Sequence, residues 1–374
     1  MKLDLVATCM FGLERLVGQE IDALGGRRTE TMDGRVYFTG DEQTLVRANL
    51  RLRCAERVLI LTGKFPAASF EELFEGTKAL PWENWIGKED AFPVIGHAVK
   101  SKLFSVPDCQ KIVKKAIVDR LSSKYGMKWF PETGETYRVE FFLFKDVAAL
   151  MIDSSGTALH KRGYRPAAGV APLRETLAAG LVFSSHPRED TLIWDPMCGS
   201  GTIAVEAAMI HANIAPGLNR RFAAETFPQI PAALWQTERE AAKSEIGQGT
   251  GETVWASDID GEVLAIAEEN AARAGVKDRI RIFSADARTV QKPDRRGTII
   301  CNPPYGERLM TPAEAEELYR AMGKNFAKFD PWQIYIITSH PQFEKLYGRR
   351  ADKILRQYNG MIPCFLYEFF KSKR

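Results

Sequence analysis

The second half of the chain predicts an α/β fold, a Rossmann-like mixed sheet flanked by helices, and the first half predicts two smaller α+β modules. Three observations carry this. Four short apolar runs, at 192–194, 253–257, 280–283 and 297–301, alternate with helical periodicity, as parallel strands joined by helical crossovers do. The first run leads into a glycine loop, and the fourth leads into a proline-locked turn about a hundred residues later. The length, 374 residues, exceeds one ordinary core and calls for two or three domains, yet both motifs fall in the second half.

Residues 1–64 alternate strand 3–8, helix 13–24, strand 35–38, helix 42–50 and strand 57–62. That β-α-β-α-β order suits a small ferredoxin-like module, and nothing in it carries chemistry. A second segment, 65–155, holds a strand at 92–100, a helix at 108–125 and strands at 137–144 and 147–154. Its helix carries Lys111, Lys114, Lys115, Arg120 and Lys124 against Asp108 and Asp119, with Lys100, Lys102 and Lys128 close in sequence. Lysines three and four apart share a helix face, and a positive face suits a phosphate backbone. Simple solvation explains the same pattern, because 51 basic and 48 acidic residues leave the chain at only +3. Residues 156–172 are rich in turn formers and carry Lys161, Arg162 and Arg165. They read as an interdomain linker whose cations meet either RNA phosphates or water.

The remaining domain, 173–374, holds the chemistry. Its first strand runs into Asp195-Pro196-Met197-Cys198-Gly199-Ser200-Gly201-Thr202 and then a helix. No Gly-Lys-Ser/Thr follows and the G-x-G-x-x-G spacing is absent, so pyrophosphate is not the expected ligand. A phosphate loop would avoid the carboxylate of Asp195, which better matches a cation such as an amino acid's ammonium group. The second strand ends in Asp258-Ile259-Asp260, where doubly wound folds grip a ribose diol. Asp258 is the better candidate, since Asp260 precedes a helical run and serves as its N-cap. The third strand ends at Ser284-Ala285-Asp286-Ala287, and a carboxylate there can accept a hydrogen bond from an adenine amino group.

The fourth strand runs into Asn302-Pro303-Pro304-Tyr305, followed by Gly306, Glu307 and Arg308. Two prolines fix the backbone and remove two donors. They leave the Asn302 side-chain oxygen and the Pro303 carbonyl as acceptors, and Tyr305 as a flat face for a base. A base amine is a poor nucleophile because its lone pair is delocalised into the ring. Two acceptors at its N–H hydrogens orient it and support the charge that develops on attack. The matching donor is a sulfonium methyl, transferred in line by aligning nitrogen, carbon and sulfur, with neither a metal nor a covalent intermediate. A strand at 333–338 and two runs, 353–358 and 362–370, flanking Asn359-Gly360 complete the domain with a hairpin.

In this order and spacing the 195–202 and 302–305 motifs resemble the class I S-adenosylmethionine-dependent amino-methyltransferases of adenine N6 or guanine N2. The chain as a whole resembles the THUMP-containing RNA methyltransferases, in particular the bacterial group that includes the guanine-N2 methyltransferase of 23S ribosomal RNA. The junction Leu159-His160-Lys161-Arg162-Gly163-Tyr164-Arg165, then Ala171-Pro172-Leu173-Arg174-Glu175-Thr176, is similar to the one leading into that group's catalytic domain. The resemblance implies a THUMP RNA-binding domain at 65–155 and a seven-stranded mixed sheet with an antiparallel final hairpin. It also implies S-adenosyl-L-methionine as cofactor, held by the loop 195–202, Asp258, Ile259, Asp286, Ala287 and Asn302, with Pro172, Leu173 and Thr176 lining the pocket. Catalysis falls to Asn302, Pro303, Pro304 and Tyr305. Ribosomal RNA is the expected partner, contacted through Lys100, Lys102, Lys111, Lys114, Lys115, Lys161, Arg162 and Arg165.

Other classes are disfavoured. Cys9, Cys54, Cys109, Cys198, Cys301 and Cys364 form no Cys-x-x-Cys pair, so neither a metal site nor a disulfide framework is expected. Cys198 and Cys301 have no adjacent base and read as packing residues. Of five dispersed histidines only His160 has a suggestive context. No apolar run reaches membrane-spanning length and no leader pattern opens the chain, so a cytoplasmic enzyme is expected. The second methyltransferase of some longer relatives is not expected either. The expected reaction is methyl transfer to a base amine in RNA, guanine N2 of 23S ribosomal RNA first, on a flipped or unpaired base. Adenine N6, in RNA or DNA, is the runner-up, because the clamp reads an amine and not its ring. A ribosome-assembly factor that binds RNA and only holds the cofactor would have no need of both Asn302 and Tyr305. A polyamine or small-molecule methyltransferase would leave the first 160 residues without a role.

Overall fold

The first sheet starts in chain order with β1 (Leu3–Cys9), β2 (Arg27–Met32), β3 (Arg35–Gly40) and β4 (Ala55–Pro66), with helices α1 (Glu14–Ala23) and α2 (Glu42–Arg51) among them. Asp41 caps α2, its side chain accepting from the Thr44 amide at 2.8 Å. Next come α3 (Phe70–Ala79), β5 (Val94–Val99), α4 (Val106–Tyr125), β6 (Val139–Phe144) and β7 (Val147–Asp153). Ser69 and Glu72 form a capping box on α3, and Gly126 closes α4 in the left-handed region. The structure, a computed structural model, describes residues 1–165, 173–188, 190–249, 251–305, 310–360 and 362–370. The expectations placed on Ala171, Pro172, Gly306, Glu307 and Arg308 lie outside those residues.

The two N-terminal modules expected to stand apart share one seven-stranded sheet, ordered β2-β3-β1-β4-β7-β6-β5. The reason is β4, whose 12 residues pair with β1 at one end and run antiparallel to β7 from Leu59 to Pro66. The expected boundary at residue 64 therefore falls inside a strand. The register shifts between Leu61 and Gly63, and the missing side chain of Gly63 leaves room for Leu80 just past α3.

The second sheet follows α5 (Glu175–Ser184). Its strands are β8 (Leu192–Asp195), β9 (Val254–Asp258), β10 (Ile280–Ser284), β11 (Gly297–Cys301), β12 (Gln333–Thr338), β13 (Lys353–Asn359) and β14 (Ile362–Phe369). Between them lie α6 (Thr202–His211), α7 (Ala232–Ser244), α8 (Gly261–Arg273), α9 (Pro312–Phe326) and the short α10 (Phe343–Tyr347). The order is β10-β9-β8-β11-β12-β14-β13, parallel from β10 to β12, with β14 antiparallel to both neighbours. The hairpin turns at Gly360, φ +66°. The chain steps outward from β8 to β10 and then returns to β11, so the order reverses between β8 and β11. Ligands of such sheets bind beyond the carboxyl ends of the strands at that switch. The two chemical motifs leave β8 and β11 there.

Candidate active site

β8 ends on Asp195, which is 1% exposed and accepts from the Met197 amide at 3.2 Å. Burial pushes its carboxyl well above the usual carboxylate range; the Met197 bond opposes this, and Asp258 nearby adds to it. Among the described residues no cation pairs with Asp195 or Asp258. Two acids at one strand junction without a counter-ion make a place where a cationic ligand is stabilised.

The loop after Asp195 is braced from three sides. Gly199 donates its amide to Asp258 Oδ2 at 2.9 Å, joining the ends of β8 and β9. Cys198 donates to the Ser257 carbonyl at 3.0 Å, and Asn270 on α8 donates to the Ser200 carbonyl at 2.9 Å. Gly201, at φ +81°, begins α6, and a Cβ there would meet the Ala267 Cβ at 3.0 Å. Gly199, at φ +50°, has open space where its Cβ would be, so ligand can approach the backbone on that side. Asp260 caps α8 as expected, accepting from Glu262 at 2.8 Å, whereas Asp258, the expected diol acceptor, accepts from the Gly199 and Asp260 amides. Ile259 is 65% exposed, an apolar side chain beside it. Two acids without a counter-ion among the described residues, a loop glycine with open space beside it and an exposed apolar side chain are chemistry that S-adenosylmethionine can use.

Other expected cofactor residues are placed differently. Asp286 is held by Arg288, whose guanidinium donates to both carboxylate oxygens at 2.7–2.9 Å and keeps the carboxyl below its ordinary value. Pro196, Cys198 and Ala287 are buried in the walls. Thr202 is 5% exposed, and its hydroxyl accepts from Arg165 at 2.8 Å. Leu173 is 4% exposed. Thr176, expected in the pocket, is fully buried and donates to Glu56 of β4 at 2.5 Å, so it fastens the N-terminal sheet to α5.

At the end of β11, Asn302 and Tyr305 are half-buried and Pro303 is buried. The Tyr305 hydroxyl donates to Asn302 Oδ1 at 2.5 Å, and its ring packs against the core beside Cys364. The expected amine acceptor is thus already bonded by the hydroxyl of the expected stacking ring. Burial also pushes the Tyr305 phenol well above its ordinary value, which keeps it a neutral donor. Tyr319 on α9 donates to the Pro304 carbonyl at 2.7 Å, fixing the turn. Among the described residues no donor reaches the Pro303 carbonyl, which remains an acceptor. Burial raises the thiols of Cys198 and Cys301 well above the ordinary range, so neither supplies a thiolate.

The expected RNA cations divide. Arg162 is 3% exposed, ion-paired with fully buried Glu206 and donating to the Leu159 and Arg53 carbonyls at 2.8 and 2.5 Å. A guanidinium so enclosed holds the junction to α6 and does not face a phosphate. Arg165 likewise turns inward, to Thr202, Glu175 and the Leu173 carbonyl. Lys114 binds Glu132 and the Phe92 carbonyl, and Lys111 pairs with Asp108. Lys115 lies over the Phe74 ring, while Lys100, Lys102 and Lys161 are exposed. Sequence reasoning missed Asn270, Glu206 and Tyr319. The signal for the first two was a polar residue on the otherwise apolar face of a helix, at Asn270 among Ala267 and Ala271 and at Glu206 among alanines. Among the described residues no metal-ligand cluster forms and no helix is long and apolar enough to cross a membrane.

The sequence matches three family models: the RMKL-like methyltransferase domain at 162–368, the RlmL ferredoxin-like domain at 4–59 and the THUMP domain at 67–153. A Bacillus subtilis protein named as a candidate RNA methyltransferase, YpsC, is 44% identical over 375 residues, covering 100% of this chain and 97% of that one. The crystal structure of a predicted N6-adenine-specific DNA methylase from Listeria monocytogenes superposes with TM-score 0.93 at 44% identity, over 100% of this chain and 97% of that one. SMU.472, a candidate methyltransferase solved in complex with SAH, gives TM-score 0.92 at 40% identity, over 100% and 99%. With all three domains matched in order and relatives above 40% identity over the whole chain, the chain belongs to the RMKL-like family of S-adenosylmethionine-dependent methyltransferases that carry RlmL-type ferredoxin-like and THUMP domains.

Proposed function

We propose that this chain methylates an exocyclic base amine in RNA, with guanine N2 of 23S ribosomal RNA as the target. The observation that carries the reading is the juxtaposition, at one switch point, of the acid-lined glycine cradle after β8 and the Asn-Pro-Pro-Tyr turn after β11. The THUMP match and the RNA-methyltransferase description of the Bacillus subtilis relative support RNA as substrate. When bound, S-adenosylmethionine supplies an electrophilic methyl group. The chain's own part is positional. Asn302 Oδ1 and the Pro303 carbonyl accept the two N–H hydrogens of the amine, aim its lone pair and offset the charge that develops on nitrogen. Tyr305 releases Asn302 and offers its ring to the base, which enters unpaired or flipped. Buried Asp195, and Asp258 tied to Gly199, hold the cofactor's charged and hydroxyl groups.

Adenine N6 is the second reading, favoured by a clamp that touches only the amine and by the description of the Listeria monocytogenes relative. We assign the work to the cytoplasm, in keeping with six free cysteines. Nucleoside mass spectrometry of ribosomal RNA from cells with and without the gene tests the proposal, followed by adding back purified protein and labelled cofactor. Loss and restoration of N2-methylguanosine is expected. A change in N6-methyladenosine would move the base to adenine, and no change would remove ribosomal RNA as the substrate.

A further inference from the structure

The lysines around α4 are unequal. Lys111, Lys114 and Lys124 face carboxylates, as does Arg120, whereas Lys100 and Lys102, in the loop between β5 and α4, have no ion pair among the described residues. The same loop carries Phe104, 83% exposed, and follows Val99, 42% exposed. A single exposed Phe needs no explanation, but this one stands on a braced corner. Lys100, at φ +50°, and the β6–β7 turn residues Lys145 and Asp146, at +50° and +59°, adopt a conformation that residues with side chains seldom take. Hydrogen bonds hold it. Lys102 donates its amide to Asp146 Oδ1 at 2.7 Å, Asp146 donates to Ser101 Oγ at 3.2 Å, and Ala67 donates to the Asp146 carbonyl at 2.8 Å. The loop is therefore fixed against the edge of the first sheet, and it carries an exposed aromatic side chain two residues after the second of two lysines that have no ion pair among the described residues.

We propose that this corner is a landing for unpaired RNA, with a base stacked on Phe104 and flanking phosphates on Lys100 and Lys102. The proposal rests on RNA as the substrate. Stacking on an aromatic ring tolerates any base but needs one free of its helix, so the corner selects single-stranded segments over duplex. Charge complementarity excludes a second copy of the same corner, which would bring lysine against lysine. Trp129, 73% exposed, lies past the far end of α4, about 30 Å away for a helix of 20 residues, and is a separate feature.

The test uses the full chain, its Phe104→Ala and Phe104→Tyr variants, and the Lys100→Ala/Lys102→Ala pair. Each is titrated at several salt concentrations with a fluorescein-labelled oligoribonucleotide lacking self-complementarity and with a blunt RNA duplex. Phe104→Ala is expected to weaken single-strand binding about tenfold or more with the salt slope and duplex affinity unchanged, and Phe104→Tyr to retain it. The lysine pair is expected to flatten the single-strand salt slope by about 1.4. Phe104→Ala behaving like the parent, or losing both RNAs equally, would overturn the stacking role. So would a change in sedimentation mass, which would make the corner a self-association surface. If the parent binds neither RNA although S-adenosylhomocysteine raises its melting temperature, the RNA reading itself has failed. Phe104 is largely solvated, so circular dichroism melts of its variants should match the parent.

Discussion

Asn302 follows the last residue of β11 and Asp258 ends β9, and the proposed reaction gives them different ligands. With the amine on Asn302 as proposed, Asn302→Ala should lower single-turnover methyl transfer by roughly a hundredfold or more, the scale of losing one preorganised polar contact in a transition state. Its S-adenosylhomocysteine affinity, by calorimetry, should stay near that of the parent. Asp258→Ala should lose cofactor affinity first, because it removes both the proposed diol acceptor and the anchor of the Gly199 amide. Equal loss of cofactor affinity in both variants would refute this division. Arg165 moves to the cofactor side as well. Its bonds to Thr202, Glu175 and the Leu173 carbonyl brace the first turn of α6, so Arg165→Ala should weaken S-adenosylhomocysteine binding about tenfold while the RNA salt slope is unchanged. Arg165→Lys should recover only part, since an ammonium cannot reproduce the planar fork. A flattened salt slope instead would return Arg165 to the RNA surface.

At the scale of elements, two cations of the last turns of α4 share one carboxylate, Glu83. Glu83 accepts from Arg120 at 2.6 and 2.9 Å and lies 3.3 Å from Lys124, and these partners hold its pKa down at about 2 against an ordinary 4.5. A depressed carboxylate stabilises the fold fully above its unfolded value and loses that contribution as pH falls through the folded one. The melting-temperature deficit of Glu83→Gln should therefore be constant well above pH 4.5 and shrink between 4.5 and about 2. A deficit independent of pH would assign it to packing alone. The elements themselves were unevenly legible. Strands β8 to β11 are short apolar runs that end in punctuation, and they lie where the sequence puts them. β2 was hidden because Arg27, Arg28, Thr29, Glu30 and Thr31 are all exposed on an edge strand, which buries no face to leave a pattern. Arg162 looked like a surface cation because the glutamate that neutralises it, Glu206, is 44 positions away and shows only as a charge on an apolar helix. The tie between Tyr305 and Asn302 gives no sequence signal beyond the motif itself.

The largest consequence of the fold is that its two sheets are one mechanical body. Leu13 packs where Gly180 of α5 has no side chain, and the Ser154 carbonyl accepts from the Ala224 amide at 3.0 Å. Glu238 on α7, 2% exposed, accepts from Gln43 at 2.6 Å and pairs with Arg47 at 2.9 Å, both on α2. One hydrophobic cluster runs from Leu3 to Leu366. A boundary so filled makes local opening of either half costly without the other, because opening would strand buried charges such as Glu238 and expose shared apolar surface. A ligand that binds only the second sheet should then stabilise the first. At a hundred times its dissociation constant S-adenosylhomocysteine adds about 2.7 kcal/mol to every opening that abolishes its site. Hydrogen exchange followed by mass spectrometry should show slower exchange in β1, β4 and α2 of the first sheet's half as well as in β8 and α6. The Glu238→Ala variant should confine the slowing to the second sheet. If the parent protein already confines it there, the halves open independently, and the interface only holds the two sheets side by side.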